Sequence, residues 1–231
     1  MNLQSLLPRE LRRRRLARTV PAGPLRRFYE SPFPRGRACW RDVEYVALDL
    51  ETTGTDPRSE EIVSAGWVLL RGATIDLSTA TVRLVRPSKA MPERSAVIHA
   101  ITDDEAMAGE DPCVVLADLL AMLAGRVLIA HYAPAERGFV DAACRRCFSG
   151  GLLVPTVDTL RLAQRSFARR GYEPVRGDLR LAALRERYNL PRHAAHDALG
   201  DALATAELFL AQAEELSDAG NAPLDAMLAP D

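Results

Sequence analysis

The chain has 231 residues, 48% of them hydrophobic and 26% charged, a balance that excludes a wholly disordered polymer. This length can bury roughly 70% of the surface its unfolded form exposes, enough for one large domain with an appendage. The net charge of −1 is unevenly spread: residues 1–41 carry eleven arginines against Glu10 and Glu30, or +9, leaving −10 for the remainder.

Residues 1–42 mix an arginine run, Arg12 to Arg15, with Pro8, Pro21, Pro24, Pro32 and Pro34, and no apolar period lasts long enough to build a core element. The expectation is a basic arm whose Arg12 to Arg15 run serves as an electrostatic contact with a polyanion or, more plainly, as a solvated helix turn or a clamp on the acidic body. The body begins with the apolar run 45–50, which predicts a buried strand ending in carboxylates. Residues 62–70 and 73–85 predict two more strands around the Arg71-Gly72 turn, an antiparallel meander. Residues 92–99 read as a short helix, and 112–124 as a longer one whose apolar face is Val115, Leu116, Leu119, Leu120 and Leu123.

From residue 127 strands and helices alternate. Strands are predicted at 127–130 and from Pro155, with helices at 136–148, through Ala168, at 178–188 and at 194–213. Five strands in this order argue for an α/β fold, a mixed sheet flanked by helices. Residues 214–231 are acidic, contain Gly220, Pro223 and Pro230, and read as a loosely held tail.

The four cysteines are too few for a disulfide framework, which favours a reducing compartment and a cytoplasmic location. Cys144 and Cys147 form a CxxC inside a helical pattern, with no second pair to complete a tetrahedral metal site, so core packing is expected of them. The most apolar stretch, 114–123, is interrupted by Asp118 and falls short of the roughly 20 residues of a membrane span, so no membrane partner is expected. The start of the chain lacks the apolar centre of a secretory signal, although its arginines leave an organelle transit peptide as an alternative.

Asp49 and Glu51 are two apart on a strand and therefore project from one face. An acid pair there repels itself and loses hydration, a cost that a hard cation such as Mg²⁺ or Mn²⁺ offsets; the plain alternative is a solvated strand end. On the helix that starts within the segment from His193 to Thr205, small residues Ala198, Ala202, Thr205 and Ala206 allow close approach of another element, with Asp201 placed to face it. Asp197 fits a helix cap. His196 lies five before Asp201, so on an ideal helix the two diverge by about 140° and His196 must come from the lead-in. Glu136 stands at a strand-to-helix junction, where it suits either an open site or the helix dipole. His131 and His193 are expected to hydrogen-bond within the structure, and Asp158 with Thr159 to start a helix.

Taken in order, Asp49-Leu50-Glu51-Thr52-Thr53-Gly54, Ile98-His99-Ala100-Ile101-Thr102, His131-Tyr132-Ala133-Pro134-Ala135-Glu136, Val157-Asp158-Thr159-Leu160 and His196 with Asp201 resemble the DEDDh 3′–5′ exonuclease family. Within it they are similar to the proofreading epsilon subunits of bacterial DNA polymerase III. The resemblance covers residues 43–213. It departs where the family usually reads His-Asn-Ala-x-Phe-Asp: here Tyr132 replaces the amide and Glu136 the acid.

The resemblance implies a ribonuclease H-like fold and two-metal hydrolysis of phosphodiesters at 3′ ends of single-stranded or frayed nucleic acid, releasing nucleoside monophosphates. DNA is favoured over RNA because the Asp-Leu-Glu-Thr-Thr-Gly form resembles polymerase-associated members. By the same implication Asp49, Glu51, Glu136 and Asp201 hold two Mg²⁺ or Mn²⁺ ions and His196 takes a proton from the attacking water. The resemblance also implies that Thr52 and Thr53 pack against the terminal nucleotide and that His99 borders the same pocket; the plain alternatives are a strand-end turn and a capped short helix. Two alternatives stay open: a weakly catalytic or non-catalytic module docked on a polymerase or other nucleic-acid enzyme, and an oligoribonuclease-like enzyme on short RNA.

Overall fold

The apolar run at 45–50 becomes the centre of a sheet because both its faces are covered. The computed structural model describes residues 8–89, 101–193, 197–217 and 221–230. Its strands are β1 (Glu44–Thr52), β2 (Ile62–Arg71), β3 (Thr74–Leu84), β4 (Val127–Ala130) and β5 (Thr156–Asp158), in the spatial order β3-β2-β1-β4-β5. β1, β2 and β3 form the antiparallel meander, while β4 and β5 run parallel to β1. The mixed five-stranded sheet is the one expected. Gly72 closes the β2–β3 hairpin with φ +57°, and a Cβ there would lie 2.2 Å from the Arg41 carbonyl oxygen, so the position requires glycine.

The helices are α1 (Arg9–Thr19), α2 (Pro24–Glu30), α3 (Asp103–Met107), α4 (Pro112–Leu123), α5 (Pro134–Phe148), α6 (Thr159–Arg169), α7 (Leu181–Arg187) and α8 (Ala198–Leu216). Alternation along β1 sends Val46 and Leu48 into a core shared with α4 and α5, where all five apolar residues predicted for α4 are buried. Tyr45 and Ala47 point the other way, against Ala206, Phe209 and Ala213 of α8. Each fully buried Leu or Phe contributes about 1.5–3 kcal/mol, so the two cores together hold the sheet between its helices. The predicted helix at 92–99 lies outside the described residues, and so do the first three residues of the one predicted from 194; α8 is described from Ala198, with Asp197 as its cap.

The arm is a correction to the sequence reading. Val20, Leu25, Phe28, Tyr29 and Phe33 are buried in the same core as Val46 and Leu48. The Tyr29 hydroxyl donates to the Gly151 carbonyl (2.6 Å) and accepts from Leu153 N–H (2.7 Å). Arg13 is buried as well, donating to the Tyr29 carbonyl and pairing with Glu10 at 2.6 Å. Prolines cut the apolar residues of this segment into pieces too short to show a period, and only docking on α4 and α5 reveals their common face.

The tail differs from expectation in the same way. Leu224 and Met227 are buried beside Trp40, and backbone bonds join Leu224 N to Ala38 O (2.9 Å) and Ala229 N to Thr156 O (2.8 Å). A bridge between Leu228 and Val157 lets the tail cover the free edge of β5. The cysteines need a third correction. Cys144 packs in the core as expected, but Cys147 is disulfide-bonded to Cys113, with Cα atoms 5.4 Å apart. The partner sits at the start of α4, across a helix pair that local CxxC spacing does not reveal.

Candidate active site

Asp49 and Glu51 leave β1 on the α8 side of the sheet, paired in register with Gly66 and Ser64 of β2. Gly66 decides how close α8 comes. A Cβ there would lie 2.2 Å from the Ala198 carbonyl carbon and 2.3 Å from Leu199 N, so the first turn of α8 rests directly on the strand backbone. Asp197 fixes that turn by accepting from Gly200 N–H at 2.9 Å, the capping role expected of it. Buried Ala198, Ala202, Thr205 and Ala206 keep the contact close. Asp201 is thereby delivered to the end of β1, where one carboxylate oxygen from each of Asp49, Glu51 and Asp201 lies within 4.8 Å of the others. His193 Nε2 is 2.7 Å from Asp201 Oδ1 and orients it.

Glu136 stands beside this cluster without joining the three. It is buried in the first turn of α5, and its Oε2 accepts no hydrogen bond from any described residue. Burial, then the charges of Glu136, Asp201 and Glu51, hold Asp49 well above the usual carboxylate range. Burial followed by Asp201 and Asp197 pushes Glu51 to about 7, and burial followed by Asp158 pushes Glu136 to about 8. Such a set of hard oxygen donors is costly to ionise alone and matches the coordination chemistry of Mg²⁺ or Mn²⁺. An orphaned buried carboxylate oxygen on Glu136 fits the same requirement.

The junction that carries Glu136 is held by its neighbours. Tyr132 has φ +69°, a left-handed conformation that costs a bulky residue roughly 1–2 kcal/mol. Its N–H donates to Asp158 Oδ1 (3.1 Å), which also receives Leu160 N–H (3.0 Å) at the start of α6. An asparagine tolerates this conformation better, which gives a physical meaning to the amide replaced here. His131 is anchored as expected: Nε2 faces the Leu179 carbonyl at 2.9 Å, and Nδ1 faces Thr159 Oγ1 at 2.8 Å. Because a carbonyl only accepts, Nε2 carries the proton, and burial keeps the ring's pKa below its ordinary value.

Thr52 and Thr53 take part in a turn. The Thr52 hydroxyl donates to the Gly54 carbonyl (2.7 Å), and the Thr53 hydroxyl donates to Glu60 Oε2 (2.5 Å) while accepting from Glu61 N–H (3.0 Å). His99 and His196 lie outside the described residues. Gly66 escaped the sequence reading, although an isolated glycine inside a strand pattern signals a close backbone approach.

Comparison with known proteins supplies the family and the fold. The family profile described as Exonuclease (RNase_T) matches residues 46–209. The DNA polymerase III subunit epsilon of Treponema pallidum is 33% identical over 169 residues, covering 72% of this chain and 75% of the relative. The PolC-type DNA polymerase III of Thermotoga maritima is 30% identical over 186 residues, and there the match spans 80% of this chain but 13% of the relative. Among solved structures, the zinc-bound E. coli exonuclease I complex with single-stranded DNA superimposes with a TM-score of 0.64 at 17% identity, over 73% of this chain and 40% of that one. Cell-death related nuclease 4 gives 0.63 at 16% identity, over 74% and 64%. These likenesses extend the shared fold. By profile, relatives and the acids at the end of β1, the chain belongs to the exonuclease family and is similar to the epsilon subunits of DNA polymerase III.

Proposed function

We propose that this protein is a divalent-metal-dependent 3′–5′ exonuclease that removes nucleoside monophosphates from single-stranded or frayed 3′ ends, with DNA preferred over RNA. The observation that carries the reading is the gathering of Asp49, Glu51 and Asp201 within 4.8 Å at the end of the central strand. The similar epsilon subunits and the single-stranded DNA bound by exonuclease I support the substrate class.

Asp49, Glu51 and Asp201 would hold the ions, with Glu136 reaching in from α5 as the fourth carboxylate. When bound, two divalent cations supply charge neutralisation, acidify the attacking water and stabilise the leaving alkoxide. The chain's own residues do the rest. His193 holds the Asp201 carboxylate in place. Burial of Glu51 and Glu136 keeps water from competing for their oxygens. An imidazole exchanges protons near neutral pH, so His196 would take the proton from the attacking water. The products are a nucleoside 5′-monophosphate and a strand shortened by one residue with a 3′-hydroxyl.

The position of Glu136 outside the tight cluster favours one second reading, an accessory module with little turnover that docks on a polymerase. Incubation of the purified protein with a labelled oligonucleotide and Mg²⁺ or Mn²⁺ separates the two. Stepwise shortening that disappears with chelator and in Asp49→Ala supports the enzyme; an intact substrate with either metal supports the module. DNA, RNA and dinucleotide substrates run side by side test the preference for DNA.

A further inference from the structure

A cavity of about 710 Å³ opens on Asp49 and Asp201 and is walled by His131, Leu181 and Arg180. A second, of about 700 Å³, shares Arg180, Ala182 and His193 with it and continues to Arg192. Together they form one groove leading away from the carboxylates. Many arginines of this chain are neutralised by acids, as in Arg83 with Glu110 and Asp118, or Arg145 with Asp141. Arg180 and Arg192 are exposed, and their guanidinium groups make no hydrogen bond or ion pair with any described residue.

The groove wall is built to hold Arg192 in place. Buried Arg185 donates to the Ala204 carbonyl (2.7 Å) and to the Pro191 carbonyl (2.8 Å), and pairs with Glu207 at 2.6 Å. His193 is bonded to Asp201 on the other side. Arg192 therefore sits between two fastened residues, one tied to α8 and the other to a carboxylate of the cluster. The carboxylates gathered at the end of β1 repel a polyanion, so a strand that reaches them needs cations placed along its approach.

We propose that this groove is the track for the strand upstream of the scissile bond, with Arg180 and Arg192 each binding a backbone phosphate. The inference rests on the nuclease reading above and adds the direction in which the substrate leaves the site. Guanidinium groups suit phosphate oxygens through charge-assisted, two-pronged hydrogen bonds.

The test compares Arg180→Gln, Arg192→Gln and the double variant with Arg86→Gln, which removes an exposed charge outside the groove. Binding of a fluorescein-labelled oligothymidylate in Ca²⁺ is read by anisotropy across a salt series. Each groove variant should weaken binding about tenfold, and the double variant should flatten the salt slope by about 1.4, whereas Arg86→Gln follows the wild type. In kinetics with Mn²⁺ the loss should fall on KM for the oligonucleotide. It should be at least about tenfold smaller on the p-nitrophenyl ester of thymidine 5′-monophosphate, which has no upstream phosphate. Equal losses on both substrates, or unchanged oligonucleotide binding, overturn the track. A wild type that binds through the groove but cleaves neither substrate refutes the nuclease reading and leaves the track standing.

Discussion

Substituting Gly66 by alanine tests whether the close approach of α8 assembles the acidic cluster. The new Cβ would stand 2.2 Å from the Ala198 carbonyl carbon, and ordinary contact begins at 3.4 Å, so the first turn of α8 or strand β2 must yield by about 1.2 Å. The obstacle is backbone on both sides, so no flexible side chain can swing aside. Asp201 lies one turn into that helix, and its displacement carries it from Asp49, the residue paired with Gly66 across the strands. Overpacking of this kind costs about 1–3 kcal/mol, roughly 3–10 °C in Tm for a chain of this size. A misplacement near 1 Å in a catalytic constellation costs on the order of 100-fold in rate. Thermal melts with and without Mn²⁺, alongside oligonucleotide hydrolysis, read both effects. We expect Gly66→Ala to fold, to melt earlier, and to lose most of the Mn²⁺-dependent rise in Tm together with activity. A variant with wild-type Mn²⁺ response and rate would refute the idea that this contact places Asp201.

The raised pKa of Glu51, about 7, and of Glu136, about 8, set a second expectation. A carboxyl raised on folding binds more protons in the folded state, so without metal stability falls as pH rises from about 4.5 towards 8. Melts in chelator from pH 5 to 8 should show that decline, and Mn²⁺ should reverse it most at pH 8; a flat profile would count against the cluster's repulsion. Asp49→Asn removes the charge at its centre and should raise the metal-free Tm at pH 8 by roughly 3–8 °C while abolishing the Mn²⁺ response. Cys147→Ser opens a crosslink between residues 34 apart and should lower stability by about 4 kcal/mol, with reductant producing the same shift in the parent and none in the variant. Deletion of residues 1–41 strips Tyr29, Phe28, Leu25 and Trp40 from the cores, so the product should be insoluble or molten by near-ultraviolet circular dichroism; a cooperative melt near that of the full chain would contradict the packing.

Much of the sheet and helix order was legible because its signals are local. The run at 45–50, the turn at Gly72 and the apolar spacing of α4 each report on neighbours within a few residues. The placement of Asp49 and Glu51 on one face also follows from strand alternation alone, and Asp197 announces itself as a cap through its position before a run of small residues. The order of motifs identified the family for the same reason.

What the tertiary structure decided is whatever depends on chain segments meeting across a distance. Leu25, Phe28 and Tyr29 have no period of their own and become core only when α2 lies on α4 and α5. Cys147 finds Cys113 through helix packing rather than through Cys144. The candidate site shows the same division: strand alternation puts Asp49 and Glu51 on one face, while a missing side chain at Gly66 sets how near Asp201 comes to Asp49, because backbone-to-backbone contact is a property of two elements that no single stretch of sequence contains.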